Sequence, residues 1–314
     1  MNANETPGGY ATGVSVVLPT HNRAHVLART IQSVLSQDQK EFELIVVDDG
    51  STDGTPNVVR TVADGRVRYI RFASNRGANA ARNHGVEQAR FGLIAFADSD
   101  DTWLPHKLST QLAVLRSAGP TTGLVFSPFR QHKNGQVSIV GGEAVGLPMA
   151  ALKTTLLTGT PIGTPTVLVR KELLLRERFD TALPRLQEWE LWLRLMQLTD
   201  FVGVQDALVD AFTLDDGISG RSEALLIAHR YILAKHYALF ETAGREVLGA
   251  RIAHLGHLEM LAGNGIVGRT LLLRGLRLAP KRYIFKRVAL AVLGVKAYQR
   301  TVARRSQSRA RSAV

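Results

Sequence analysis

The chain contains no cysteine in its 314 residues. That excludes disulfides, thiolate metal sites and a cysteine nucleophile. No apolar run approaches the length that spans a bilayer. Residues 1–12 are polar and Gly-rich, without the apolar core of a signal peptide. A frayed N-terminal tail and a cytoplasmic location are the expectation. The turn after the first apolar segment, Pro19-Thr20-His21-Asn22-Arg23, has no glycine. A dinucleotide dehydrogenase carries its GxGxxG fingerprint there, and a nucleotidyltransferase typically carries a Gly-rich phosphate loop with a basic residue. No GxxxxGK[ST] marks a phosphate loop of the NTPase kind. Acidic residues stop at Glu259, and residues 260–314 hold thirteen Lys or Arg.

What is present suits a globular chain: 45% hydrophobic and 21% charged residues, long enough to bury one large core or two smaller ones. Net charge is +12, yet everything before residue 260 nearly balances, with 26 basic and 27 acidic residues. The excess sits in the C-terminal segment, a distribution suited to meeting an anionic surface.

Apolar runs near 14–18, 43–48, 67–72 and 92–97 read as strands. Helical periodicity falls near 24–36, 54–63, 78–90 and 104–117, with Val26, Leu27, Ile31, Val34 and Leu35 on one stripe. This alternation predicts parallel strands flanked by helices, with ligands at the strands' carboxyl ends. Further on, Asn134-Gly135 predicts a hairpin, residues 188–196 a helix, and residues 201–212 one or two strands. Helical patterning then runs from Ser222 to near residue 305.

The densest chemistry lies in Phe96-Ala97-Asp98-Ser99-Asp100-Asp101. Three carboxylates in four positions at a strand end repel one another and raise one another's pKa. A cation relieves that, and hard oxygen ligands select Mg²⁺ or Mn²⁺, held by one or two carboxylates plus substrate phosphates. A helix start at Asp101-Thr102-Trp103-Leu104-Pro105 is the alternative. Upstream lie two further strand ends, the polar turn at Pro19–Arg23 and Asp48-Asp49-Gly50-Ser51-Thr52-Asp53. A loop follows them, Asn75-Arg76-Gly77-Ala78-Asn79-Ala80-Ala81-Arg82-Asn83, that opens a helix.

Together and in this order, these four segments resemble the inverting family 2 glycosyltransferases, over roughly residues 13 to 219. The resemblance implies a GT-A fold: a Rossmann-like, mostly parallel α/β sheet flanked by helices. On it, 13–220 is the catalytic domain and 221–314 a helical, polybasic extension. It implies transfer of a sugar from a nucleoside-diphosphate donor to an acceptor hydroxyl, dependent on Mg²⁺ or Mn²⁺. Asp98 and Asp100 match the family's DxD position, with Asp100 the direct metal contact and Asp98 shared with the ribose. Asp101 matches a common acidic position or caps a helix. Asp48 stands where the family's acid pairs with the base, and a carboxylate there accepts the imide N–H of uracil, which favours UDP. An Asx-turn ahead of Gly50 is the alternative. Pro19, Thr20 and Asn22 line the nucleotide pocket, and Gly77 allows close backbone approach. Arg82 either reaches the diphosphate or Asp98, or is a surface cation.

The family's general base lies in an acidic pair at a helix start, usually Glu-Asp. Here the text is Gln187-Glu188-Trp189-Glu190, so Glu188 is the base and Glu190 the fallback. Trp189 and Trp192 stack on sugar or belong to the core. Gly217-Ile218-Ser219-Gly220-Arg221 matches a loop that closes near the donor in relatives. The histidines form no site. A helical face of Ile284, Val288, Ala291, Val292, Val295 and Tyr298, flanked by cations over 281–305, either lies on an anionic membrane or packs on the protein. The acceptor is a saccharide, free or lipid-linked, and no nucleic acid is expected. A non-catalytic sugar-nucleotide-binding or membrane-associated module is the alternative function, favoured only by Gln-Glu in place of Glu-Asp.

Overall fold

The structure is a computed structural model that describes residues 13–212 and 222–311. They form two compact units, residues 13–182 with 187–212 and residues 183–186 with 222–311.

In the first unit the elements run β1 (Val14–Thr20), α1 (Leu27–Leu35), β2 (Phe42–Asp48), α2 (Thr55–Arg60), β3 (Val67–Arg71), α3 (Ala78–Gln88), β4 (Leu93–Phe96) and β5 (Thr102–Trp103). They continue with α4 (Lys107–Ser117), β6 (Thr122–Phe126), β7 (Phe129–Lys133), β8 (Gln136–Val140), α5 (Met149–Thr158), β9 (Val167–Arg170), α6 (Lys171–Arg176), α7 (Gln187–Leu195), β10 (Asp200–Gly203) and β11 (Val209–Phe212). A seven-stranded sheet has the order β10-β6-β9-β4-β1-β2-β3. β1, β2 and β4 are buried along their whole length, as expected of parallel strands covered on both faces. The core joins this sheet to the apolar stripe of α1, with Leu27, Ile31 and Val34 packed beside Val16, Leu18, Leu44 and Val46.

The strands of the predicted alternation pair in parallel, β1 with β2 and β4, and β2 with β3, while β9 runs antiparallel to both β4 and β6, so the sheet is mixed but mostly parallel. No helix starts at Asp101. The two residues after it form β5, which pairs antiparallel with β11 in a second sheet ordered β5-β11-β7-β8, and α4 starts only at Lys107. Asp101 is spent on this sheet, its Oδ1 accepting the Phe212 N–H at 3.2 Å. The Asn134-Gly135 turn does join β7 to β8 as a hairpin.

The second unit is helical: α8 (Ser222–Lys235), α9 (Tyr237–Thr242), α10 (Arg245–Leu261), α11 (Gly265–Leu278), α12 (Arg282–Val292) and α13 (Val295–Arg311). α10 and α11 pack backbone against backbone. A Cβ on Gly275 would stand 2.6 Å from the Ala253 Cβ, and one on Gly256 2.8 Å from the Leu272 nitrogen. The basic C-terminal segment is not one helical face. Gly294, with φ 93°, ends α12 and lets the chain turn into α13. Ile284, Ala291 and Tyr298 are buried in this unit's own core, with Val288 and Val295 against them, whereas Val292 stands in solvent. No described helix is long and apolar enough to cross a membrane.

Candidate active site

Parallel pairing sets β1, β2 and β4 side by side, with Thr20 opposite Asp48 and Val17 opposite Phe96. Their polar turns therefore emerge at one sheet edge. Asn22, at φ 53°, fastens the first turn to the second: its N–H donates to Ser51 Oγ at 2.9 Å, and its Oδ1 accepts the Thr52 N–H at 2.8 Å. Pro19 lies in buried β1. The Thr20 hydroxyl is buried and finds no hydrogen-bond partner among the described residues.

Asp98 and Asp100 keep partly exposed carboxylates, with 30% and 23% of each side chain accessible. Arg82, buried on α3, donates from Nη2 to Asp98 Oδ1 at 2.8 Å, while its buried Nε has no partner among the described residues. The surface-cation alternative for Arg82 is thereby excluded. Arg23 Nη2 lies 4.0 Å from Asp100 Oδ2. Burial pushes Asp101 well above the usual carboxylate range, and the charges of Asp98 and Asp100 push it the same way.

Residues without any sequence signal in the motif hold this turn. α1 presents Arg29, Thr30 and Ser33 to it. Arg29 Nη2 donates to the Asp100 carbonyl at 2.9 Å, Thr30 Oγ1 to the carbonyls of Ser99 and Asp101 at 3.0 and 2.8 Å, and Ser33 Oγ accepts the Trp103 N–H at 3.1 Å. Arg29 also lies 4.2 Å over the Phe212 ring, which stacks on His132 at 4.6 Å.

Asp48, the residue expected to meet the base, ends β2. It is fully buried, its Oδ1 accepts the Ser51 N–H at 2.8 Å, and its Oδ2 takes the Tyr69 hydroxyl. Burial and the bond to Asp48 push the Tyr69 hydroxyl upward. The neighbouring Asp49 fastens the third loop, accepting the N–H groups of Arg76 at 2.6 Å and Gly77 at 2.8 Å. Gly77, at φ 91° and ψ 150°, opens α3 with open space where a Cβ would stand.

α3 also connects the acid turn to the segment before α7. Asn83 exchanges two hydrogen bonds with the Phe179 backbone, Asn79 donates to the Asp180 carbonyl, and the Arg82 guanidinium faces the Phe179 ring at 5.6 Å. Glu188 lies in the first turn of α7, half-buried. Leu186, just before this helix, holds φ 59°, a strained value for a non-glycine residue. Glu190 is fully buried and bound at two points by Arg194. Trp189 and Trp192 are core residues, donating to the carbonyls of Leu156 and Ile162. The loop Gly217–Arg221 lies outside the described residues. A groove of about 410 Å³ between α1 and α2, lined by Gln32, Leu35, Val58 and Arg66 among others, contains none of the residues named for the site.

The glycosyl transferase family 2 model matches residues 15–171, half of the chain, and spans all four motif segments. The chain belongs to glycosyl transferase family 2. A relative from Escherichia coli, the UDP-Glc:alpha-D-GlcNAc-diphosphoundecaprenol beta-1,3-glucosyltransferase WfgD, is 30% identical over 184 residues, 59% of this chain and 70% of that one. The chain spans only 32% and 40% of two further relatives' lengths. Among solved structures, S. aureus TarS 1-349 in complex with UDP-GlcNAc superposes with a TM-score of 0.68 at 18% identity, over 94% of this chain and 92% of that one. The mannosyltransferase PcManGT from Pyrobaculum calidifontis, in complex with GDP-Man and Mn²⁺, gives 0.54 at 20% identity, over 93% and 87%. These two likenesses establish the GT-A fold.

Proposed function

We propose that this glycosyltransferase moves a sugar from a UDP-linked donor to a hydroxyl of a saccharide acceptor, lipid-linked or polymeric, with inversion at the anomeric carbon. The observation that carries the reading is the Arg82–Asp98 pair at the convergence of the β1, β2 and β4 ends, together with two buried polar atoms, Thr20 Oγ1 and Arg82 Nε, that lack partners among the described residues. Buried polar groups are costly unless bonded, and a donor's ribose and phosphate oxygens are suitable partners. The relative WfgD, by its name, uses UDP-Glc and a diphosphoundecaprenol-linked acceptor, which supports the donor and acceptor classes.

Asp98 and Asp100 supply hard oxygen donors with accessible carboxylates, so the residues fit Mg²⁺ or Mn²⁺. Among the described residues no group of three or more His, Cys, Asp or Glu is placed to hold a metal. When bound, such an ion offsets the charge of the departing diphosphate. Arg82 orients the Asp98 carboxylate, and α1 fixes the backbone between the two acids. Asp48 acts through the turn it anchors, and Asp49 sets the Gly77 loop. Glu188 takes the proton from the acceptor hydroxyl as its oxygen attacks the anomeric carbon.

The test is a thermal-shift screen with UDP-, GDP- and TDP-sugars, with and without Mn²⁺, followed by nucleoside diphosphate release and product stereochemistry. A ligand that binds only the folded state raises Tm. The UDP-sugars are expected to give the largest shift. Retention of anomeric configuration would reject the single displacement, and binding without diphosphate release would leave a non-catalytic module.

A further inference from the structure

α12 is apolar on two opposite sides. Its inner side, Ile284 and Ala291, is buried with Val288 beside it in the core of the helical unit. Its outer side is exposed: Phe285 is 61% accessible, Val292 76% and Leu293 70%, with Ala289 exposed between them. At helical spacing these four positions fall within an arc of about 100°. Arg282 and Lys286, both exposed, lie within or beside the same arc. Single exposed apolar residues are ordinary, but a contiguous stripe edged by cations marks a surface that meets something.

The charge identifies the occupant. From residue 260 onward the chain has thirteen basic residues and no acidic one, and exposed Lys296, Arg300 and Arg304 continue the field along α13. A second copy of this chain docked face to face would bring two strongly basic segments together. A bilayer with anionic lipid supplies diffuse negative charge for the cations and, just beneath it, an apolar layer deep enough for Phe285 and Leu293. We infer that the outer face of α12 is an interfacial binding surface for anionic membranes, with Phe285, Val292 and Leu293 entering the headgroup boundary and Arg282 and Lys286 pairing with lipid phosphates. The seam that enters lipid is thus opposite the Ile284–Ala291 face. Lipid binding is independent of the transfer chemistry proposed above and is read without turnover.

The experiment is co-sedimentation of the full chain with phosphatidylcholine vesicles, with and without phosphatidylglycerol. Binding is expected only with phosphatidylglycerol and weakens as salt rises. Each of Arg282→Gln and Lys286→Gln lowers partitioning about fivefold. Phe285→Ser with Leu293→Ser lowers it roughly tenfold or more. Leu175→Ser, at an exposed apolar position in the other unit, leaves it unchanged. Because the chain lacks cysteine, Leu293→Cys carries a single polarity-sensitive fluorophore, which should shift to the blue on anionic vesicles while the same label at Leu175→Cys does not. This second readout holds even where a serine variant folds poorly. No binding to anionic vesicles, equal binding by all variants, or lipid-free self-association lost in Phe285→Ser overturns the inference, the last by assigning the face to a second copy.

Discussion

Arg194 grips Glu190 at two points, Nε to Oε1 at 2.9 Å and Nη2 to Oε2 at 2.8 Å, and extends Nη1 to Glu177 at 2.6 Å. A carboxylate bound in this way is poorly placed to accept a proton. The two acids of the α7 start therefore divide into a structural one, Glu190, and a half-buried one, Glu188, although nothing in Gln187-Glu188-Trp189-Glu190 ranks them so clearly.

The division predicts two different phenotypes. Glu188→Gln should lower turnover by about 10² to 10⁴ while Tm and donor binding stay near those of the parent. Glu190→Gln should mainly cost stability, on the order of 3 kcal/mol for a broken buried pair. Diphosphate release and thermal melts of both variants check this. A Glu190→Gln protein of normal Tm and lost turnover would exchange the roles.

Metal-assisted donor binding should depend on Asp100. Asp100→Ala is expected to weaken Mn²⁺-dependent affinity for the UDP-sugar at least about tenfold, or ~1.4 kcal/mol. Arg82→Met should do the same with less dependence on Mn²⁺, because it loosens Asp98 rather than removing an oxygen donor. Calorimetric titration at several Mn²⁺ concentrations separates the two. Unchanged affinity in Asp100→Ala removes that residue from the site.

Much of this was legible in the sequence because the signals are local. Apolar runs ending in Asp48 and Asp98 set the strands, and four motifs in order gave the fold. What stayed hidden depends on distant pairing. That Asp48 is filled by Tyr69, that Asp101 accepts from Phe212, and that Thr30 clamps the acid turn all join residues 21 to 111 positions apart. The Asp-Thr-Trp-Leu-Pro text satisfies the rules for a helix start, but pairing with β11 takes Thr102 and Trp103 into a sheet instead. The glycines seven apart in α10 and in α11 were visible, and their meaning, close helix contact, needed the partner helix.

The helical unit should be acid-sensitive. His229 is pushed down to about 4, His254 to about 3 and His257 to about 4, each by burial first. Arg251 adds repulsion at the first two, with Arg185 at His229 and Arg287 at His254 and His257. His257 also bonds the Tyr298 hydroxyl. These folded-state values lie below the ordinary 6.5, so the unfolded chain binds more protons once pH falls under about 6.5. Stability is therefore full above that pH and declines as pH falls toward 4. Tm measured from pH 8 to 4 should drop, and His254→Gln should flatten the slope. A flat parent profile across that range refutes the assignment.

Gly77 and Gly275 should fail for different reasons. Gly77→Ala meets no neighbour, so its cost is the conformational one of a Cβ at φ 91° and ψ 150°, about 1–3 kcal/mol. It should also raise the donor KM, because Asp49 must hold that loop through the Gly77 N–H. Gly275→Ala instead drives a methyl into the backbone of α10, 2.8 Å from the Gly249 carbonyl oxygen, and overpacking of that kind costs about 1–3 kcal/mol. Urea melts cannot tell the two apart by size, but donor kinetics can. KM should rise in Gly77→Ala and stay at the parent value in Gly275→Ala. Equal KM values in both variants would detach the Gly77 loop from donor binding.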